Sequence, residues 1–210
     1  MSTIGDQAPR RLTRKGQATR RRIVDAASAL IFEQGVANTT IEDVRAAAAV
    51  SGSQLYHYFK DKPALVRAVI EHQTDTIIDG QAAFDLSSMR GLRAWGAWVI
   101  EHQHAIDCQG GCPIGSLGGE LAETDTRARE QLAEGFKRWE GAIQKGLREM
   151  KLRGRLAADA DPDALALALL ASLQGGLLLT QIERNTKALE AALDAMLELI
   201  AAKSDPSQLR

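Results

Sequence analysis

The chain of 210 residues is 45% hydrophobic and 25% charged, which is ordinary for a globular protein and excludes wholesale disorder. Its two cysteines exclude a disulfide-framework fold, and an aromatic content of only 4% favours helices over strands. The net charge of −1 is unevenly distributed, since residues 1–72 carry 11 Lys/Arg and 7 Asp/Glu whereas residues 73–210 carry 15 and 20. The basic first third predicts contact with a polyanion.

Four predicted helices follow one another in this basic third. Residues 1–16 are polar and basic and are expected to form a flexible arm, and residues 17–35 show a helical period that ends at a glycine. Capping boxes over residues 39–42, led by a threonine, and 51–54, led by a serine, predict two short helices. Asp61 is expected to cap the fourth helix.

Longer predicted helices occupy the rest of the chain. Their starts are signalled by cap or proline residues, which are Ser87 or Ser88, Pro113 after Cys112, Thr124, Pro162 after Asp161, and Thr186. No run alternates as a strand does. The sequence therefore predicts an all-α fold of about nine helices. We expect a helix-turn-helix domain over residues 17–72, an effector-binding and dimerisation domain over 73–203, and a tail at 204–210.

One predicted helix approaches the length of a membrane span. Residues 164–182 contain no charged side chain. They do contain Ser172, Gln174 and Thr180, and no basic flank orients the segment as in membrane proteins. A helix buried between protein surfaces is the better interpretation. With no secretory leader in the sequence, we expect a cytoplasmic protein without a membrane partner.

Two short capped helices joined by a tight turn are typical of a helix-turn-helix unit. The second helix needs small or polar residues at its leading end to enter a major groove, and those present are Ser51, Gly52, Ser53 and Gln54. Of these, Gln54 is the residue type that pairs with an adenine edge. Tyr56 and His57 are expected to face outward, whereas Leu55 and Phe59 face inward. The alternative is a helix pair that serves packing alone.

The sequence from Thr39 to Leu65 resembles the DNA-binding domain of TetR-family transcriptional regulators, and the match extends over about residues 17–70. Its most specific part is Leu-Tyr-x-Tyr-Phe-x-x-Lys, which begins at Leu55. The resemblance implies that Ser53, Gln54 and Tyr56 contact bases, and that Thr40, His57, Tyr58 and Lys62 hold phosphates. It also implies a dimer that represses neighbouring genes until a ligand relieves the repression.

Two positions depart from the family pattern. Ala49 stands where the family usually has the glycine of the turn, and a left-handed backbone at this alanine would cost about 1–2 kcal/mol. Arg45 replaces a residue that is commonly small, and an arginine there is available for a phosphate contact.

A ladder of small residues at helical spacing predicts a dimer interface. In the uncharged helix it contains Ala164, Ala168, Ser172, Gly176 and Thr180, and the last helix adds Leu189, Leu193, Met196 and Ile200. In TetR-like regulators the last two helices of each subunit form a four-helix interface, which this segment resembles. A homodimer would place two recognition helices on successive faces of a near-palindromic DNA operator. The alternative is packing within one chain.

The middle of the chain contains a candidate effector pocket. Trp95, Trp98, His102 and Ile106 fall on one helical stripe, and Phe84, Phe136 and Trp139 are candidates for the same cavity. Large apolar side chains with a few polar groups are typical of small-molecule pockets, and equally of a plain core.

Cys112 is the other candidate of the middle region. The segment Gly110-Gly111-Cys112-Pro113 resembles a helix opening found in one group of TetR-like regulators, some of which sense oxidants through cysteine. At a helix N-terminus the dipole is expected to lower the pKa of Cys112. The alternative, which we favour, is a small buried hydrophobe. A zinc site is not expected, because His102 and His104 point to different sides of a helix.

These features predict a ligand-responsive, dimeric transcriptional repressor with double-stranded DNA and an unidentified small molecule as partners. A repressor that responds to oxidation of Cys112 is the alternative within the same class. Outside it, the alternatives are a helical enzyme and an architectural DNA binder with little sequence preference. We expect no enzymatic activity and no cofactor, because the sequence has no phosphate loop, nucleophile elbow or metal-ligand spacing.

Overall fold

The computed structural model describes residues 12–204, and in this range the chain forms helices and no strand beyond one isolated bridge between Leu156 and Ser204. The helices are α1 (Arg14–Asn38), α2 (Ile41–Ala47), α3 (Gly52–Tyr58), α4 (Lys62–Gln81), α5 (Met89–Ala105), α6 (Pro113–Leu121), α7 (Thr126–Leu152), α8 (Pro162–Glu183) and α9 (Lys187–Ala202). The all-α prediction of about nine helices is confirmed. The chain divides into two compact units, residues 1–69 and 70–210.

The first helix begins earlier than its periodicity indicates. Thr13 caps α1 by accepting a hydrogen bond from the backbone N–H of Gly16 at 3.1 Å. The expected arm over residues 1–16 is therefore wrong for its last residues, and its first 11 residues lie outside the described part. The helical backbone breaks at Gly35, where φ is 80°, as the sequence predicts.

The capping box of α2 lies one residue later than predicted. Thr40 is the cap, with its hydroxyl accepting from the Asp43 N–H at 3.1 Å while the Asp43 carboxylate accepts from the Thr40 N–H at 3.0 Å. Thr39 is instead buried, and its hydroxyl donates to the carbonyl of Gly35 at 2.8 Å. The predicted box of Thr39 with Glu42 is therefore wrong.

The core of the first unit holds α3 in place from two sides. Leu55 is fully buried and Phe59 is 3% exposed, in agreement with their expected inward orientation. The Arg20 guanidinium lies over the Phe59 ring, 5.3 Å from its centroid. The side chain of Arg22 donates to the Ala48 carbonyl at 2.9 Å, at the end of α2. These two arginines therefore link α1 to the ends of α3 and α2.

In the second unit, most predicted helix starts are confirmed. Ser88 caps α5, Asp161 caps α8, and Pro113 opens α6 directly after Cys112. The prediction that Thr124 caps the long helix is wrong, because Asp125 does so by accepting from the Ala128 N–H at 3.0 Å.

Helix α8 is the structural centre of the second unit. It packs against α7 and α9, with Leu169 and Leu173 fully buried. Gly176 lets α9 approach closely, since a Cβ atom there would lie 2.8 Å from the Cα of Leu189. Among the described helices, α8 is the one whose length and apolar composition would suit a membrane span. Its packing against α7 and α9 explains only part of that composition, because 44% of the apolar window is buried.

Candidate DNA-recognition and effector sites

The leading end of α3 presents a polar face. Ser51 caps the helix through the predicted box, since its hydroxyl accepts from the Gln54 N–H at 3.1 Å and the Gln54 side-chain oxygen accepts from the Ser51 N–H at 3.0 Å. Ser53 is exposed, and Gly52 is half-buried. Because these hydrogen bonds join residues only three apart, the capping box can be identified from the local sequence.

The side chains that follow alternate sharply in exposure. Tyr56 is 59% exposed and His57 is exposed, whereas Leu55 between Gln54 and Tyr56 is buried. Gln54 is exposed as well, and its carboxamide oxygen keeps a second lone pair beside its N–H2 group. An amide in this position can both accept from and donate to an adenine edge.

The four residues expected to contact phosphates differ in their surroundings. They are Thr40, His57, Tyr58 and Lys62. The Thr40 hydroxyl donates to the Asp43 carboxylate at 2.6 Å, and this hydrogen bond, with that from the Thr40 N–H, lowers the pKa of Asp43. The Lys62 ammonium donates to the Ala37 carbonyl at 3.4 Å. Tyr58 is half-buried, with its ring edge-on to that of His57 and the centroids 4.9 Å apart.

The turn between α2 and α3 has the left-handed residue that its sequence position suggests. Ala49 has a φ of 50°, in the region that glycine adopts without strain. Arg45, whose side chain is available for a phosphate contact by its sequence position, pairs with Glu42 at 2.7 Å within the subunit.

A cavity of about 410 Å³ lies within the second unit. Five of the six residues predicted for an effector pocket line it, namely Trp95, Trp98, His102, Cys112 and Trp139. All three tryptophans of the chain are among them. Trp98 is 42% exposed, whereas Trp95 and Trp139 are 1% and 5% exposed, so the cavity has an open end and a buried end.

The sixth predicted residue, Phe136, does not line this cavity. It stacks on Trp139 with the ring centroids 6.4 Å apart, and it lines a neighbouring cavity of about 520 Å³ that also reaches Cys112. Its placement with the other five is therefore wrong. Phe84, weighed for the same cavity, packs on Trp98 at 5.6 Å and does not line the cavity either.

Two buried glutamines line the 410 Å³ cavity and were not identified from the sequence. Gln81 is 2% exposed and Gln103 is 3% exposed. Gln81 accepts a hydrogen bond from the indole N–H of Trp139 at 2.7 Å. A glutamine near the end of one helix and another on a second helix give no local pattern, so only the tertiary structure brings them together.

Cys112 is a buried thiol, 6% exposed. Burial raises the pKa of Cys112 above its ordinary value, and this effect exceeds the opposing backbone hydrogen bond of Gly115. The expectation of a lowered pKa at this helix N-terminus is therefore wrong, because desolvation outweighs the helix dipole. Among residues 12–204, no group of three His, Cys, Asp or Glu side chains is arranged to hold a metal ion.

The residues predicted for a dimer interface lie mostly inside the subunit. Gly176 and Leu189 are buried where α8 meets α9 of the same chain, Leu193 is buried on the side of α9 that faces α5, and Met196 is 9% exposed. Ala168 and Ser172 are half-buried. A side chain without accessible surface cannot be covered further by a partner, so Gly176, Leu189 and Leu193 are corrected to intrachain core residues.

A different stripe of α8 is apolar and accessible. Leu167, Leu178 and Ile182 are 56%, 57% and 66% exposed, and they share one helical face with the exposed Ala171 and Gly175. On α9 the exposed apolar residues at helical spacing are Ala191, Ala195 and Leu199. We call these eight residues the α8–α9 apolar face. Exposed apolar side chains along a helical stripe are typical of surfaces that contact another protein.

Comparison with known families gives two matches along the chain. Residues 23–69 match the family described as bacterial regulatory proteins, tetR family. Residues 89–196, about half of the chain, match the family described as tetracyclin repressor-like, C-terminal domain. The two matched segments lie within the two compact units, so the helix-turn-helix region and the helical region are each identified independently.

Known proteins of similar sequence or fold are transcriptional regulators. The HTH-type transcriptional repressor DhaR of Mycobacterium sp. (strain GP1) is 30% identical over 89% of this chain and 94% of its own length. The transcriptional regulator AcuR of Cereibacter sphaeroides is 30% identical over 73% and 72%. The crystal structure of a TetR transcriptional regulator from Chloroflexus aurantiacus J-10-FL superposes with a TM-score of 0.73 at 25% identity, covering 91% of this chain and 98% of that one.

Proposed function

Because this chain belongs to the TetR family of DNA-binding transcriptional regulators, we propose that it is a homodimeric repressor that a small molecule releases from a near-palindromic operator. It would act in the cytoplasm, where it has access to DNA. The observation that carries the proposal is the exposed polar face of α3, Ser51 to His57, on a helix whose opposite side is anchored by Leu55. A helix anchored in this way is suited to entering a major groove.

Base recognition is assigned to the exposed residues of α3. Gln54 would read an adenine through its amide, with Ser53 and Tyr56 contacting neighbouring bases. His57 and Tyr58 at the end of the helix, with Thr40 and Lys62, would contact phosphates, which fix the register of the protein on DNA. Thr40 and Lys62 must exchange their present intrachain hydrogen bonds for phosphate contacts. They are therefore expected to contribute less than the side chains of α3.

Dimerisation is assigned to the α8–α9 apolar face. Its large side chains Leu167, Leu178 and Ile182 leave more than half of their surface exposed in the subunit. The small residues Ala171 and Gly175 between them would let a second copy of α8 approach closely. A two-fold dimer would then pair like faces and present two copies of α3 to two half-sites.

Effector binding is assigned to the 410 Å³ cavity of the second unit. Its volume falls in the range of small-molecule pockets, and its lining combines tryptophans with a few polar groups. An effector would release DNA by binding more tightly to a dimer conformation that does not fit the operator. The oxidation-sensing alternative is not favoured, since a buried Cys112 with a raised pKa is mostly protonated at neutral pH.

The proposal is tested by fluorescence anisotropy on DNA flanking the chain's own gene, with an unrelated duplex of equal length as the control. We expect tight binding to one flanking duplex, a stoichiometry of two chains per site, and affinity that falls steeply with salt. If the flanking DNA is not bound, selection from a random duplex pool replaces it. Equal affinity for all duplexes would indicate an architectural DNA binder. Absence of binding at low salt would overturn the proposal.

A further inference from the structure

Among residues 12–204, none of those that line the 410 Å³ cavity is Lys, Arg, Asp or Glu. Its two titratable side chains are His102, which is exposed at the open end, and Cys112, whose pKa is raised by burial. An ionised ligand group that left water for the buried end would find no opposite charge there, which is strongly unfavourable. The cavity therefore selects against molecules that carry their charge inward.

Gln81, one of the residues that line this cavity, nevertheless carries a hydrogen-bond donor without a partner among the described residues. The carboxamide oxygen of Gln81 accepts from the Trp139 indole N–H at 2.7 Å. Since that indole nitrogen can only donate, the orientation of the Gln81 amide is fixed, with its N–H2 group directed elsewhere. The side-chain nitrogen of Gln81 is buried and has no hydrogen-bond partner in the protein.

Gln103, another residue of the cavity lining, carries a hydrogen-bond acceptor without a partner among the described residues. The side-chain oxygen of Gln103 is buried and is likewise unpaired in the protein. Buried polar groups are nearly always hydrogen-bonded, and leaving one unpaired is costly. Two residues that line one cavity therefore each carry a buried, unpaired amide atom, one a donor and one an acceptor.

We propose that the effector is an uncharged, mainly apolar molecule whose polar group accepts a hydrogen bond from Gln81 and donates one to Gln103, as an amide or a hydroxyl group does. This inference rests on the proposed function, because it names the ligand class of the proposed effector cavity. The apolar remainder of the ligand would pack between Trp95, Trp98 and Trp139. A carboxylate fails on two grounds, since it is charged and cannot donate.

Binding can be measured from the tryptophan fluorescence of the full-length protein, because all three tryptophans line this cavity. The probes are benzamide, benzoate and ethylbenzene, which share a ring and differ in the polar group. We expect benzamide to bind more tightly than benzoate. Gln103→Met should reduce the affinity for benzamide about tenfold and should not reduce the affinity for ethylbenzene. Tighter binding of benzoate, an unchanged benzamide affinity in the variant, or no benzamide binding at millimolar concentration would each overturn the inference.

A second measurement needs no ligand. If the Gln103 oxygen is unpaired in the free protein, Gln103→Met should raise the urea midpoint of the second unit, because it replaces an unsatisfied buried group with an apolar one of similar shape. Ser28→Ala is the matched control, since the Ser28 hydroxyl is also buried and unpaired but lies in the first unit. It should leave benzamide binding unchanged. A lowered midpoint for Gln103→Met would show a structural hydrogen bond instead.

The same probes, added to the protein–operator complex, separate this inference from the proposed function. If benzoate releases DNA and benzamide does not, the ligand class is wrong while effector-relieved repression stands. If benzamide binds with the expected Gln103 dependence but never affects DNA binding, the cavity chemistry stands and its role as the effector site fails.

Discussion

The two units of the chain differ in how far apart along the sequence the hydrogen-bond partners of their functional side chains lie. In the first unit, Ser51 and Gln54 lie three residues apart and form hydrogen bonds with each other, while the surface of α3 is exposed to water. In the second unit, the side-chain oxygen of Gln81 accepts a hydrogen bond from Trp139 on another helix. The side-chain nitrogen of Gln81 and the side-chain oxygen of Gln103 are buried and unpaired among the described residues. A surface that meets hydrated DNA can remain satisfied by water until it binds. In the cavity, the Gln81 nitrogen and the Gln103 oxygen have no partner within the described part of the protein, and leaving such buried atoms unpaired is costly.

This difference predicts where a mutation acts. Changes in α3 should alter DNA recognition locally, through the substituted side chain. Changes in the second unit should act at a distance, because its residues contribute to packing between helices or between subunits. Four substitutions, two in each unit, test this division, and they are described in order of decreasing effect.

The largest effect is expected from Leu178→Glu in the α8–α9 apolar face. Leu178 is 57% exposed in the subunit, so the substitution leaves the subunit fold intact. In a symmetric dimer the two carboxylates would be buried without partners, and dimerisation should be lost. Operator affinity should fall about a hundredfold or more, although α3 is unchanged. Sedimentation velocity and anisotropy measure the two effects.

Leu152→Glu is the matched control for this substitution. Leu152 is 88% exposed at the end of α7, outside the α8–α9 apolar face, so its replacement should alter neither dimerisation nor DNA binding. A Leu178→Glu protein that remains dimeric would move the interface away from this face of α8.

The next effect is local and concerns Gln54→Ala. Loss of the amide should reduce operator affinity about tenfold and relax the preference at one base pair in each half-site. Gln54 is also part of the α3 capping box, so the alanine variant loses some stability as well. Gln54→Glu separates the two roles, because glutamate preserves the box but cannot donate to adenine. Equal operator affinity for all three proteins would remove Gln54 from base recognition.

Helix identity could be predicted from the sequence, but the register of individual caps could not. Thr39 with Glu42 and Thr40 with Asp43 satisfy the same capping pattern. Which threonine caps the helix depends on the burial of Thr39 and on its hydrogen bond to the Gly35 carbonyl. The capping pattern itself does not indicate this burial. The exposed face of α3 was predictable because its box and its inward Leu55 are both local features.

The cavity and the interface were only partly predictable for a related reason. Trp95, Trp98 and His102 share one helical stripe, and the structure brings them to one cavity. Gln81 and Gln103 belong to no stripe that singles them out. Along α8 the apolar residues surround the helix, so small residues such as Gly176 indicate a close helix contact without saying which helix is the partner. In the structure, the helix that contacts Gly176 is α9 of the same chain.

A smaller effect on stability is expected from Gly176→Ala. The added Cβ would lie 2.8 Å from the Cα of Leu189, so α8 and α9 must separate, at a cost of about 1–3 kcal/mol in the free energy of unfolding. Gly141→Ala in α7 is the control, because nothing lies within 4 Å of its added Cβ and the better helix former should stabilise by about 0.5–1 kcal/mol. Urea unfolding followed by tryptophan fluorescence measures both, and equal changes would contradict close packing at Gly176.

The smallest effect concerns the backbone of the turn before α3. Ala49 has a φ of 50°, which costs an alanine about 1–2 kcal/mol, while glycine loses about 0.5–1 kcal/mol through its greater freedom in the unfolded chain. Ala49→Gly should therefore stabilise the first unit by about 0.5–1 kcal/mol. Ala46→Gly, at an exposed position within α2, should destabilise it by about 1 kcal/mol. Thermal unfolding followed by circular dichroism measures both. Because this strain is local, operator affinity should change little, and a large loss of affinity in Ala49→Gly would show that the strained turn itself positions α3.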